Sequence, residues 1–214
     1  MPVATLDHLV VAVATLDDGL RWGRAHLGVD IPLGGRHERF ATHNRVLRLG
    51  AAAYLEIVAI DPAAPPPGRA RWFGLDEPAL RERLASGPRL ITWVAASGDV
   101  RRAAAASPLG HGSVEPMRRG TLEWLIAIPP DGSLAEGGTL PPLIQWIGLH
   151  PASALPDLGF RLAGLDLGHP EPERLLAAFA ALGLADDVVH VHQAAAPSLS
   201  ARIVTPQRGA VTIA

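Results

Sequence analysis

The stretch "YLEIVAIDP" (residues 54–62) reads as a β-strand with a carboxylate at its centre. Tyr54, Leu55, Ile57, Val58 and Ile60 favour a pleated, half-buried surface. Burying Glu56 among them is costly unless a donor, a cation or a metal ion meets it. A second stretch, "LIQWIGLHP" (143–151), aligns with the first without a gap. Glu56 falls on Gln145, Asp61 on His150 and Pro62 on Pro151, each 89 positions apart.

Each stretch closes a run of the same order. In the first, "DHLVVAVA" (7–14) is a strand by its β-branched content. "LDDGLRWGRAHLG" (16–28) is a helix with Asp17 or Asp18 near its start and Gly28 as its stop. After the turn-rich "PLGG" (32–35), "RHERFATH" (36–43) and "NRVLRLG" (44–50) read as a hairpin leading into "YLEIVAI". In the second run, "RLITWVAAS" (89–97) is a strand and "GDVRRAAAAS" (98–107) a short helix. "GSVEPMRRG" (112–120), "TLEWLIAIPP" (121–130) and "PLIQWIG" (142–148) are three more strands. The starts superpose too: "AVATLDD" (12–18) over "VAASGDV" (94–100) pairs Asp17 with Asp99 and sets His8 on Leu90. The chain is thus expected to be α+β, with repeated βαβββ modules.

The first module spans 1–62 and the second 88–151. Between them, "DPAAPPPGRAR" (61–71) breaks any regular element, because proline removes a donor and fixes φ. "DEPALRERLASG" (76–87) adds a short helix, so 63–87 reads as a proline-rich linker. A third unit, 156–214, repeats the order with little sequence in common. It has "RLAGLDLG" as a strand, "PEPERLLAAFAALG" (170–183) as a helix ended by Gly183, and three short strands. An unpaired sheet of this kind leaves an edge and an apolar face, which points to a homodimer.

Composition removes several classes of function. Hydrophobic residues make up 48% and charged residues 19% of the 214, as in ordinary globular chains. A net charge of −2 without a Lys/Arg cluster offers nucleic acid no footprint. There is no cysteine, so disulfides, zinc–thiolate sites and thiol nucleophiles are excluded. No stretch reaches the roughly 20 apolar residues of a membrane span. The N-terminus carries no basic leader, so a cytoplasmic location is the expectation. No P-loop, GxSxG or GxGxxG follows a strand.

Paired modules, an opening strand "DHLVVAV" and a fourth strand "YLEI" resemble the vicinal oxygen chelate superfamily, which includes glyoxalase I, extradiol dioxygenases and bleomycin-resistance proteins. More narrowly, "GGRHERFATHNRVLRLGAAAYLEIVAIDP" (34–62) and "PPLIQWIGLHP" (141–151) are similar to glyoxalase-like domain proteins. The resemblance covers residues 5 to 155. It implies that two modules form a curved half-barrel, with metal ligands facing inward from the first and fourth strand of each.

Carried over by position, the metal ligands are His8, Glu56 and Gln145, with Leu90 at the fourth place, where nothing can ligate. The implied cofactor is a divalent ion (Zn, Ni, Mn or Fe), and Glu56 is also the proton-transferring base. His37, His43 and Asn44 would line the cavity mouth, although alternation sends His43 and Asn44 to opposite faces. Of Arg118 and Arg119, one facing the cavity would suit an anionic substrate; Arg118 is assigned that place, and Trp124 the apolar wall. Trp146, beside Gln145, is expected to point away from the cavity. His190 and His192 share a face and read as solvated.

Two functions follow from the resemblance. One is a metal-dependent lyase, isomerase or dioxygenase acting on a small oxygenated substrate. The other is a metal-free protein that binds or sequesters a small molecule, favoured by Leu90.

Overall fold

The computed structural model describes residues 3–214. The first module contributes β1 (Ala4–Ala12), α1 (Leu16–Trp22), β2 (Leu33–His37), β3 (Thr42–Arg48) and β4 (Tyr54–Ile60). After α2 (Pro78–Ala85), the second gives β5 (Arg89–Ser97), α3 (Val100–Ala106), β6 (Ser113–Arg119), β7 (Leu122–Ile128) and β8 (Leu143–Ile147). These strands form one eight-stranded sheet in the order β2-β3-β4-β1-β5-β8-β7-β6. In each module the first strand lies parallel to the fourth, and the modules join through antiparallel β1 and β5. The sheet curves into a half-barrel whose edge strands approach each other, with the Arg119 side chain of β6 lying against Gly35 of β2.

Local chemistry explains where the helices begin and end. Thr15 caps α1 through a reciprocal pair of bonds with Asp18, satisfying two backbone donors. A π-helical turn, Gly23–Leu27, continues α1 to Gly28, which ends it at φ 77°. Asp99 caps α3 by accepting from the Arg102 amide.

The first hairpin differs from the sequence reading. Its opening strand starts at Leu33, so Gly34 and Gly35 lie within β2, and a 3-10 turn at Glu38–Phe40 separates it from β3. The glycines serve close approach: a Cβ on Gly34 would stand 2.1 Å from Asn44 Oδ1, and one on Gly35 would stand 2.8 Å from the Arg119 Cδ.

The proline-rich segment is more than a spacer. Trp72, Phe73 and Leu75 are buried in the core on the concave side of the sheet, with Val10, Val58, Ile126 and Ile144. Trp72 stacks between Phe40 and Phe73, and Phe73 takes a left-handed φ of 58°, uncommon for a bulky side chain.

The C-terminal unit comprises β9 (Arg161–His169), α4 (Pro172–Leu182), β10 (Val189–Gln193), β11 (Ser198–Thr205) and β12 (Gly209–Ile213). Its element order is as expected, but its strands run β10-β9-β11-β12, with the first strand inside rather than beside the fourth. Leu165, Leu175, Phe179 and Ile203 share one core with Leu9, Val11 and Trp93 on the convex side of the large sheet. The apolar face expected to seek a partner is therefore covered within the chain.

Candidate active site

The concave side holds a pocket with two unlike walls. The first module supplies His8, His37, Tyr54 and Glu56; the second supplies Arg119, Trp124, Ile126, Ile144 and Trp146, and Trp72 and Phe73 close one end. The free space is about 20 Å³, room for roughly one water molecule. His37 also borders a larger cavity, of about 330 Å³, lined by Arg36, Thr42 and Asp61.

A register shift creates the polar wall. On β1, Leu6 pairs with Ala95 and His8 with Val94, leaving Asp7 as an extra, unpaired residue. Such a bulge re-aims side chains, and here it lets neighbouring Asp7 and His8 meet. His8 Nδ1 lies 2.6 Å from Asp7 Oδ1. Asp7 Oδ2 accepts from Trp146 Nε1 at 2.8 Å and from His150 Nε2 at 2.9 Å. The Ala152 amide donates to His150 Nδ1, which fixes that imidazole as an Nε2–H donor. Across the pocket, Glu56 Oε2 stands 3.6 Å from His8 Nε2, at ion-pair rather than hydrogen-bond distance. Asn44 donates to Glu56 Oε1 at 2.6 Å and itself accepts from the Gly35 amide.

So Glu56 is met by an amide and an imidazole, both in its own module. Burial alone would raise its pKa, but the His8 contact and charge, with His37 and Asn44 behind them, bring it down to about 2. Asp7 behaves alike: burial is outweighed by His150 and then His8, and its pKa falls to about 2. His8 is the reverse case. Burial would discharge it, yet the Asp7 bond and then Glu56 raise its pKa to about 9, and Tyr54 stacks on its ring at 4.4 Å. His37 stays neutral: burial, with Arg119 adding to it, lowers its pKa to about 4 despite Glu56. Its Nδ1 bonds Thr42 Oγ1 and its Nε2 accepts from Arg119 Nη1 at 3.2 Å.

Five sequence expectations, for Gln145, Trp146, Leu90, His43 and Arg118, differ from where the side chains lie. Gln145 points to the convex side, where its Oε1 accepts from the Val100 amide at the start of α3. Trp146 points inward in its stead. Facing alternates along a strand, so a slip of one residue in the repeat alignment exchanges the two. Leu90 is likewise in the convex-side core, an extra residue at Ile91 having shifted the register, and Val94 is what faces His8. His43 lies outside the inner pocket, 3.9 Å from Asp61 Oδ1. Arg118 is exposed beside Glu123, and the adjacent Arg119 enters the pocket. His8, Glu56, His37, Asn44 and Trp124 do come together. Asp7, Tyr54, His150, Trp72 and Phe73 join them unassigned, and Arg119 takes the place given to its neighbour Arg118. The one sequence signal for Asp7 is its charge next to His8 in an apolar strand, a pattern that alternation alone cannot bury.

The donor set does not fit a divalent ion. Among the described residues no group of three or more His, Asp or Glu side chains has the arrangement to hold one. The second module faces the site with Ile144 and Trp146, and a guanidinium stands beside His37. A structural metal-type partner does exist for His8, since Asp7 orients its ring as a carboxylate orients a ligating histidine. Here that ring meets Glu56 instead.

The sheet of paired βαβββ modules defines a protein of the vicinal oxygen chelate superfamily. The chain belongs to the glyoxalase-like domain family, whose model it matches over residues 6–183, through α4. No curated protein matches it. A hypothetical protein from Staphylococcus aureus has a similar structure, with TM-score 0.63, 14% identity, and coverage of 92% of this chain and 88% of that one. Methylmalonyl-CoA epimerase from Mycobacterium tuberculosis aligns with TM-score 0.37 at 20% identity, over 70% and 91%. A mutant 4-hydroxymandelate synthase from Streptomyces coelicolor aligns with TM-score 0.42 at 16%, over 99% and 62%. Among the described residues no helix is long and apolar enough to cross a membrane.

Proposed function

We propose that the protein is a proton-transfer enzyme, of isomerase or lyase type, acting on a small oxygenated substrate without a bound metal ion. The observation that carries this reading is Glu56 Oε2 standing 3.6 Å from the His8 ring, with its other oxygen held by Asn44. A carbonyl oxygen entering between them would take the His8 Nε2–H. Glu56 then loses the contact that most lowers its pKa, while its burial still opposes charge, so it becomes a stronger base as the substrate arrives. It takes a proton from the carbon beside the carbonyl. The electron pair moves to the carbonyl oxygen, and the imidazolium stabilises the enolate-like charge. Return of the proton to a neighbouring atom, or to the opposite face of the same carbon, completes an isomerisation.

A second reading, binding without chemistry, is favoured by the apolar half of the pocket, Trp124, Ile126, Ile144 and Trp146. One experiment separates them. A panel of small aldehydes, ketones, 2-hydroxy acids and thioesters is incubated with the protein in D₂O containing EDTA and followed by proton NMR. Deuterium is expected to enter one of them beside the carbonyl, with the rate falling at least about 100-fold in Glu56→Gln. Compounds that bind but never exchange would leave a binding protein instead.

A further inference from the structure

Arg119 is paired unlike most other arginines near the pocket. Arg69 and Arg39 both hold Glu115, Arg71 holds Asp76, and Arg36 approaches Asp61. No carboxylate among the described residues lies within 4.0 Å of Arg119, whose contact is with the unprotonated nitrogen of the neutral His37. A guanidinium has five donors in a fixed fork, and this contact uses one. It also sits where the donor set for a metal ion fails, on the inner face of the second module, opposite His8 and Glu56.

Its position is built rather than accidental. Arg119 ends β6 at one edge of the sheet, and its stem crosses the seam onto β2, where it lies against Gly35. Trp72 adds a buried indole N–H without an acceptor on the same pocket lining. The inner wall therefore carries a guanidinium with no carboxylate partner and, on Trp72, an indole N–H with no acceptor, around a space of about 20 Å³.

We infer that Arg119 is the carboxylate anchor of this pocket, so that the substrate class is a small carboxylic acid carrying its reactive carbonyl or hydroxyl next to the carboxylate. The guanidinium takes the carboxylate side-on through two parallel N–H bonds. The adjacent oxygen is then directed to His8, and the neighbouring C–H to Glu56. The guanidinium and the His8 ring thus share two neighbouring oxygens between them, and Lys cannot copy the planar fork of Arg119. The assignment rests on the same pocket as the proposed reaction but not on Glu56 acting as a base.

The test uses oxalate as the probe and its neutral, equally shaped diamide, oxamide, as the control, both in EDTA. Binding is followed by calorimetry and by the ¹⁵N–¹H signals of the Arg119 side chain. Oxalate is expected to shift those signals and to bind at least about tenfold more tightly than oxamide. Arg119→Gln should lose that preference, Arg119→Lys should recover only part of it, and Glu56→Gln should keep it. Equal binding of oxalate to Arg119→Gln, or binding only when Ni or Mn is added, overturns the assignment. Retained oxalate binding together with a failed exchange experiment would overturn the proposed reaction and leave the anchor standing.

Discussion

Asp7 and His8 are adjacent in sequence and in a strand, yet their side chains meet at 2.6 Å because the bulge at Asp7 removes it from the ladder. Adjacent residues of a regular strand point to opposite faces, so this contact exists only by virtue of the extra residue. Asp7 is fully buried and serves three donors: His8, Trp146 and His150. Asp7→Asn keeps the shape but removes the charge that holds His8 protonated. The folded state is expected to lose about 3 kcal/mol in urea unfolding, the cost of breaking a buried ion pair. The His8 ring should also titrate at a lower pH by NMR. An unchanged His8 titration in a folded Asp7→Asn protein would show that Glu56 alone sets its charge.

Stability should peak near pH 6.5. His8 is faced by Asp7 from β1, Glu56 and Tyr54 from β4, and His37 and Arg119 from β2 and β6. Its folded pKa lies above the unfolded 6.5, so its contribution is complete below that pH and is lost as pH rises to about 9. His37 has the opposite sign. Its folded pKa of about 4 lies below 6.5, so the unfolded chain gains protons first and stability falls as pH drops from 6.5 to 4. Asp7 and Glu56, both with pKa about 2, lose their contributions lower still. Urea midpoints at pH 4.5, 6.5 and 9 should therefore be highest in the middle. A midpoint that climbs steadily to pH 9 contradicts a protonated His8.

The element order of both modules is legible in the sequence, because β-branched runs, capping residues and helix-ending glycines each mark one boundary. Glu56 is legible as a site residue for a similar reason, as a polar side chain on a strand that otherwise buries apolar ones, whereas His37 and Asn44 are legible only through the family resemblance. Register is not legible. Few identities support the pairing of Glu56 with Gln145, and shifting it by one residue leaves the apolar count nearly unchanged while reversing every side chain. Nor does anything in "LDHL" demand that Asp7 bulge out, since the demand comes from Trp146 and His150, distant in the chain. The strand order of the C-terminal unit is invisible for another reason, as β-α-β-β-β is compatible with both arrangements seen in this one molecule.

Gly34 and Gly35 test whether β2 is built for the site. Neither has a positive φ, so their requirement is space, not backbone freedom. Gly34→Ala sets a methyl group against the Asn44 amide, which is locked between the Gly35 N–H and Glu56. About 2 kcal/mol of destabilisation is expected from overpacking, together with loss of deuterium exchange as Asn44 lets go of Glu56. Gly35→Ala meets only the flexible stem of Arg119, so stability should change by under about 1 kcal/mol while oxalate binding weakens. Identical behaviour of the two variants would argue that β2 merely needs glycine for its twist.

Gln145 and Trp146 decide the register of β8, and their predicted effects differ in kind. Gln145→Ala leaves the Val100 amide at the start of α3 without its side-chain acceptor, so about 1 kcal/mol of stability should go, as for a lost helix cap. Nothing in the pocket should move. Trp146→Phe keeps the ring packed on Trp124 but removes the N–H that Asp7 accepts at 2.8 Å. A bond to a buried charge is worth about 2 kcal/mol. The loss also alters the carboxylate that holds His8, so the His8 ring signals should shift in Trp146→Phe and stay fixed in Gln145→Ala. The reverse outcome, with Gln145→Ala disturbing His8, would restore the alignment of Gln145 with Glu56 and place the glutamine in the pocket.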